Sequence, residues 1–548
     1  MDAILSAFKE FWSQVQDERL NSYLTRRLFL RLLGLIYLIA FLSLWTQIEG
    51  LIGRNGILPA VEYLEAISQR VGPERYWWLP TFCWLSASDG FLHLQCAAGT
   101  LFALLLVAGV APVLDLVFLW ALYLSLSTVC RDFLGFQWDI LLLETGFLAI
   151  FLAPRQWLPN RSRETPPSLT VLWLARWLLF RLMFMSGAVK LLSADSTWWN
   201  LTALEVHYET QPLPTWIGWH AHQLPAWFQK MSVLVMFVIE LGLPVLIFGL
   251  RHLRAMACGG FLLLMLVISL SGNYCFFNLL TVALCLLLLD DRLLRRFLPN
   301  RITAPTAPPA HEPFLTRPSA TLSLPVEERG QREGRSGRFP EAMPAQSSED
   351  SLPLSRFHPL RVGLLGLLAL MILLISGVET LARLTGRERI PPLLLRVVQA
   401  VSSFRTVNSY GLFAVMTTTR PEIIVEGSND GSTWLAYEFK WKPGEAARRP
   451  VFVAPHQPRL DWQMWFAALG TYRQNPWFMS FLVRLLQGSP DVSALLARNP
   501  FPDKPPRRIR AVLYEYRFTD RETRVKTGHW WRRERKGIYC PEIALRQE

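Results

Sequence analysis

Nine apolar runs constrain this chain more than any other feature: residues 28–46, 91–110, 113–130, 138–153, 169–192, 231–250, 255–272, 276–290 and 361–380. A helix needs roughly 20 residues to cross about 30 Å of hydrocarbon. Backbone groups in lipid must bond internally, and these runs are too long and continuous for barrel strands, so membrane helices are expected. Composition agrees. Of 548 residues, 51% are hydrophobic and 18% charged, against about 25% charged in a typical soluble domain. The lipid bilayer is therefore the first partner. The formal charge of +13 is spread over many loops and forms no nucleic-acid module, so no nucleic acid is expected.

Basic residues orient the spans. Arg26 and Arg27, then Arg155, Arg161 and Arg163, then Arg251 and Arg254, then Arg292, Arg295 and Arg296 all fall on one side of nine crossings, the cytoplasmic side by charge bias. This divides the chain into a cytoplasmic amino-terminal segment 1–27 without a cleavable signal, and a membrane domain 28–296 of about eight helices. Outer loops are expected at 47–90 and 193–230, a disordered Pro- and Ser-rich cytoplasmic connector at 297–358, and a last helix at 361–380. Residues 381–548 form an outer domain. There the two β-rich runs of 421–444 flank Asn429, Asp430 and Gly431 as a hairpin would, 510–518 reads as a strand and 461–469 as a helix. The fold class is thus a polytopic all-α membrane domain followed by a soluble antiparallel β-rich domain with helical insertions.

Ionisable groups inside spans are costly and face protein or water. Asp139, Glu144, Arg181 and Glu240 form such a set. Arg181 and Glu240 lie mid-span on antiparallel neighbours and are expected to meet. Asp139 and Glu144, five apart, stand about 140° around a helix and make no paired-carboxylate site. Lys190 ends the fifth span, where a lysine either snorkels to water or, if enclosed, acts as a base. His207, His220 and His222 with Glu205 or Glu209 match no metal-ligand spacing, so neither metal nor cofactor is expected. Seven cysteines without C-x-x-C spacing read as buried hydrophobes; Cys83 and Cys540 both fall on the outer side, where they are free to pair or not. No G-x-S-x-G, P-loop or G-x-G-x-x-G string occurs.

Long strings resemble the lipase maturation factor family: "GRNGILPA" 53–60, "FQWDILLLETGFLAIFLAP" 136–154, "FRLMFMSGAVKL" 180–191, "YETQPLPTW" 208–216, "GNYCFFNLLT" 272–281, "NSYGLFAVMTTTRPEIIVEGSNDGSTW" 408–434 and "VAPHQPRLDWQMWF" 453–466. In or beside them lie the outer-face residues Arg54, Asn55, Gly56, His207, Gln211, Pro212, Arg420, Asn429, Asp430, Gly431, His456 and Asp461. The resemblance implies a membrane-bound maturation or folding factor for exported enzymes, with lipases as clients and no established catalytic residue. Animal members sit in the endoplasmic-reticulum membrane. The outer loops are read as carrying no glycosylation acceptor and the end of the chain no retrieval signal, which points to a bacterial inner-membrane member with its last domain periplasmic. Residues 180–199 with "TQPLP" 210–214 also resemble, over a short stretch, the membrane domain of vitamin K-dependent gamma-glutamyl carboxylases. Lys190 matches the place of that family's base, although Leu191 follows where a second lysine is usual. That resemblance implies the alternative, a membrane-embedded enzyme using Lys190. A structural or transport protein is the third class.

Overall fold

A computed structural model describes residues 20–160, 164–299 and 358–545; most of the expected connector, and Arg161 and Arg163, lie outside them. All nine apolar runs are helices: α1 Tyr23–Trp45, α2 Asp89–Ala108, α3 Pro112–Cys130, α4 Gln137–Leu152, α5 Leu169–Leu192, α6 Ala226–Phe237, α7 Arg251–Ser271, α8 Phe277–Leu286 and α9 His358–Thr385. Among the described residues, seven helices are long and apolar enough to cross a membrane, counting α6 with its continuation to Phe248. The two shorter ones are α4, of 16 residues, and α8, of 10. α4 is walled by α3 and α5, and α8 by α1, α4, α5 and α7, so protein rather than lipid surrounds them. That enclosure is what permits a short helix and polar side chains at these places.

α6 changes character in mid-course. Val238–Gly242 forms a π turn and Leu243–Phe248 a 3-10 stretch. Pro244 supplies the reason, because it has no N–H and its ring crowds the carbonyl four residues back, that of Glu240. The backbone widens into a π turn there, a distortion that often marks functional sites.

The soluble part is built on an antiparallel sheet in the order β2-β1-β5-β6, from β1 Arg420–Ser428, β2 Leu435–Ala436, β5 Arg508–Phe518 and β6 Trp531–Ile543. β1 and β5 pair from Arg420↔Tyr516 to Ser428↔Arg508. A second small sheet joins β3 Glu438–Phe439 to β4 Leu496–Arg498. The expected hairpin forms, but its return strand is short, because the chain leaves β1 after Ala436 to pair with β4. The helix expected at 461–469 runs Arg459–Ala468. β6 is an edge strand whose first half, "RRERKG" 532–537, is largely exposed and so carries no apolar period to read. A single apolar cluster runs from Phe29 and Tyr123 in the bundle to Tyr410, Ile423, Phe478 and Ile509 beyond it. The two parts share one core.

At the hairpin turn Asp430 accepts hydrogen bonds from the Ser432 and Thr433 amides at 2.8 and 2.7 Å. Those amides hold its carboxyl well below the usual carboxylate range. Gly431 follows at φ 77°, where a β-branched residue is strained. Gly431→Val is therefore expected to destabilise the full-length protein by about 1–3 kcal/mol. A lowered melting temperature in detergent checks it; an unchanged one refutes the strained turn.

Candidate functional site

α4 carries two carboxylates, each fully buried, and their 140° separation sends them to different partners. Asp139 accepts two hydrogen bonds from the Arg459 guanidinium, at 2.7 and 2.9 Å, and one from the Tyr123 hydroxyl at 2.6 Å. Glu144 binds Arg181 in a close ion pair. Its other oxygen accepts from the Asn408 amide at 2.8 Å, the Asn408 side chain at 3.1 Å and the Tyr410 hydroxyl at 2.7 Å. Arg181 in turn donates to the Asn408 carbonyl at 2.7 Å. The expected meeting of Arg181 with Glu240 does not occur. The two are not at similar depth: Glu240 sits level with Lys190, about 13 Å along α5 from Arg181, and Glu144 on the adjoining α4 takes the guanidinium.

The C-terminal domain thus reaches into the bundle with Asn408, Tyr410 and Arg459, residues to which the sequence reading gave no role. One signal pointed to Arg459 alone of the three: two carboxylates in one apolar run need two cationic partners. The family strings supply further contacts. The Ser43 hydroxyl lies 2.9 Å from His456 Nδ1, and burial, with Arg459 and Lys440 adding, pulls that imidazole down to about 4. The carbonyls of Asn55 and Gly56 accept from Ser489 at 2.8 Å and Arg484 at 2.9 Å, and the Arg54 amide donates to Asp89 at 2.9 Å. Buried Arg420 donates to the carbonyls of Glu209 at 2.7 Å and Pro212 at 2.9 Å, to that of Gln211, and to the Glu422 carboxylate at 2.8 Å. Asp461 caps the Trp441 and Lys442 amides, each at 2.8 Å, and Asn429 accepts from the Arg507 amide at 3.1 Å. Asn55, Gly56 and the 209–212 carbonyls fasten their loops to the C-terminal domain, while Arg54, Asn429 and Asp461 brace their own parts of the chain.

Lys190 is the second centre. Its side chain is only 4% exposed, so it does not snorkel. The ammonium donates to Glu240 Oε2 at 2.6 Å and to the Ser186 carbonyl at 3.1 Å, with the Trp198 ring centroid 5.3 Å away. Two backbone features make this possible. The π turn brings Glu240 inward, and Gly187 lets α6 approach closely: a Cβ there would stand 2.8 Å from Leu241 and 3.0 Å from Glu240 Cβ. The pair faces a cavity of about 380 Å³ between α5, α6, α7 and α8, roofed by His207, Tyr208, Tyr274 and Phe413. Tyr274 lies 3.1 Å from His207 Nε2 and donates to Gln211 at 2.9 Å. Burial, with Lys190 adding, pulls His207 down to about 4, so its imidazole is neutral at neutral pH.

His222 approaches Glu209 only at 3.8 Å, and no group of three His, Cys, Asp or Glu among the described residues is placed to hold a metal. Cys83 and Cys540, like the other five cysteines, are free and buried; Cys83 accepts from Gln95 while Cys540 lies against Met479.

The lipase maturation factor transmembrane domain matches residues 24–296 and the lipase maturation factor C-terminal domain residues 406–541. Chicken lipase maturation factor 2 is 39% identical over 590 positions, covering 95% of this chain and 81% of its own. The human protein of that name is also 39% identical, covering 96% and 83%, and bovine lipase maturation factor 1 is 34% identical, covering 95% and 89%. No solved structure matches. These relatives are vertebrate proteins, which overturns the bacterial inner-membrane expectation. One of its two supports was also mistaken, since Asn200-Leu201-Thr202 in an outer loop is an N-x-Thr acceptor. With both family domains matched and relatives aligned over nearly the whole chain, this protein belongs to the lipase maturation factor family.

Proposed function

We propose that the protein is a maturation factor that brings secreted lipases to their active form, working from the endoplasmic-reticulum membrane with its C-terminal domain in the lumen. The observation that carries this reading is the union of the two family domains: buried ion pairs and hydrogen bonds from α4 to Asn408, Tyr410 and Arg459 make them one body. A client held on the lumenal domain is thereby held at a fixed place beside the membrane. In cells lacking the gene, secreted lipase activity per mass of secreted lipase is expected to fall and to return on re-expression. An unchanged ratio refutes the reading; a fall in mass alone refutes it in favour of a role in expression.

Orientation has its own test. Val525, 87% exposed on the C-terminal domain, and Pro159, exposed in the loop after α4, lie at opposite ends of the bundle. All seven native cysteines are buried, so background labelling is low. With only the plasma membrane permeabilised, an impermeant maleimide is expected to label Pro159→Cys and to spare Val525→Cys until the inner membranes are opened. The reverse pattern inverts the topology.

A further inference from the structure

We propose that the cavity between α5, α6, α7 and α8 is a binding site for an uncharged, hydroxyl-bearing lipid, which enters sideways from the bilayer and donates a hydrogen bond to Asn278. The inference is independent of the maturation reading.

Size and walls come first. About 380 Å³ is within the range of sites that take a small organic molecule. Leu182, Met183, Met236, Leu264, Ile268 and Phe413 supply much of the wall. Water makes poor use of the dispersion contacts that such a wall offers. An apolar body is the filling that makes them.

Access follows from the course of two helices. α7 packs along 238–248 and, towards its outer end, on residues 216–222. The cavity occupies the wedge this leaves beside the outer half of α6. Phe228 on α6 and Val267 on α7 both line the cavity and are 43% and 49% exposed. The cavity therefore reaches the apolar outer surface between these helices. Their neighbours there, Met231, Val235, Leu263 and Leu266, are exposed hydrophobics of the kind that faces acyl chains. The ligand is thus drawn from the bilayer rather than from water.

The head group is set by charge and by one orphaned atom. The charged side chains of the lining are Lys190 and Glu240, paired at 2.6 Å, so the cavity is neutral overall. A carboxylate or phosphate on the ligand would stand against Glu240, and an amine against Lys190. Asn278, 6% exposed, has its Oδ1 without a hydrogen-bond partner. Its amide orientation is fixed by its neighbour. The Ser269 hydroxyl donates to the Met265 carbonyl at 2.7 Å, so it can only accept from Asn278 Nδ2, at 2.9 Å. Oδ1 is left as an unused acceptor on a residue that lines the cavity, and a buried acceptor without a donor is costly. A ligand hydroxyl satisfies it, whereas a ligand with only ester or ether oxygens does not.

The test uses the full-length chain in phosphatidylcholine nanodiscs with a monoacylglycerol carrying a diazirine in its acyl chain. Illumination is expected to label peptides from 182–190, 228–240 and 264–281, and excess unlabelled monoacylglycerol to displace the label. Ser232→Trp, which fills the mouth of the wedge, is expected to reduce labelling by about tenfold at fixed probe. Asn278→Leu is expected to bring the hydroxyl probe down to the level of its fully methylated ether, a loss of about fivefold or more. Label that is not displaced, or that spreads equally onto Leu367 and Leu370 of the exposed face of α9, overturns the site. A fatty-acid probe that competes as well as the monoacylglycerol overturns the uncharged head. Competition on the unaltered chain keeps the proposal falsifiable should either variant fail to fold. Because labelling needs no client, its failure leaves the maturation reading standing, and unchanged lipase activity in deleted cells leaves the cavity standing.

Discussion

Arg459→Ala is expected to loosen the joint between the C-terminal domain and the membrane bundle, costing about 3–5 kcal/mol. The truncation leaves Asp139 fully buried with only the Tyr123 hydroxyl as a donor from its present set, and an uncompensated buried carboxylate is the expensive outcome. The full-length protein should melt at lower temperature, and secreted lipase activity per mass should fall with it. Removing both charges separates the cost of a stranded ion from the value of the contact. Asp139→Leu with Arg459→Met is expected to recover most of the lost stability, since apolar replacement of a buried pair is often near neutral. If the single variant melts like the wild type, the pair is not what joins the domains.

Lys190→Leu carries the second large effect. It strands Glu240 beside the cavity, again at about 3–5 kcal/mol. If the pair serves only to join α5 and α6, Lys190→Leu with Glu240→Leu restores both stability and lipase maturation. If Lys190 transfers protons, the double variant folds at normal abundance yet keeps a loss of about 10²–10⁴-fold. Lys190→Arg is not the mild change a snorkelling lysine would allow. The bulkier guanidinium must fit the slot that Gly187 opens against Glu240 and Leu241, and overpacking there costs about 1–3 kcal/mol. The scaffold account is lost if the double variant is stable and inactive.

The nine apolar runs were legible because span length and backbone satisfaction in lipid leave few alternatives. The hairpin at Asn429–Gly431 and the helix at 459–468 were legible for a similar local reason, turn chemistry and period. The partners of the buried charges were not. Glu144 and Asn408 are 264 residues apart, and nothing local in either segment announces the other. Glu240 meets Lys190 rather than Arg181 because it sits level with Lys190, nine residues and about 13 Å along α5 from Arg181, and the π turn aims it inward there. Strand β6 was missed because most of its first half is solvated. The outer-face motifs were found as strings, yet their work, docking carbonyls of one domain against the other and capping amides within each, appears only once the chain is folded.

The Asp139–Arg459 contact also sets an order of events during synthesis. The two residues are 320 positions apart. At about 5–20 residues per second, the arginine is made roughly 15–60 s after the aspartate. Throughout that interval α4 is in place, or waiting, with a carboxylate that has no counter-ion. Three of the four hydrogen bonds to Glu144 arrive late as well, with Asn408 and Tyr410. The nascent bundle is therefore an incomplete object whose last parts are delivered from the far side by its own carboxyl end. A chain that stops short of Asn408 loses more than its C-terminal domain. It leaves Asp139 buried in helices already laid down, without the arginine that would have met its charge.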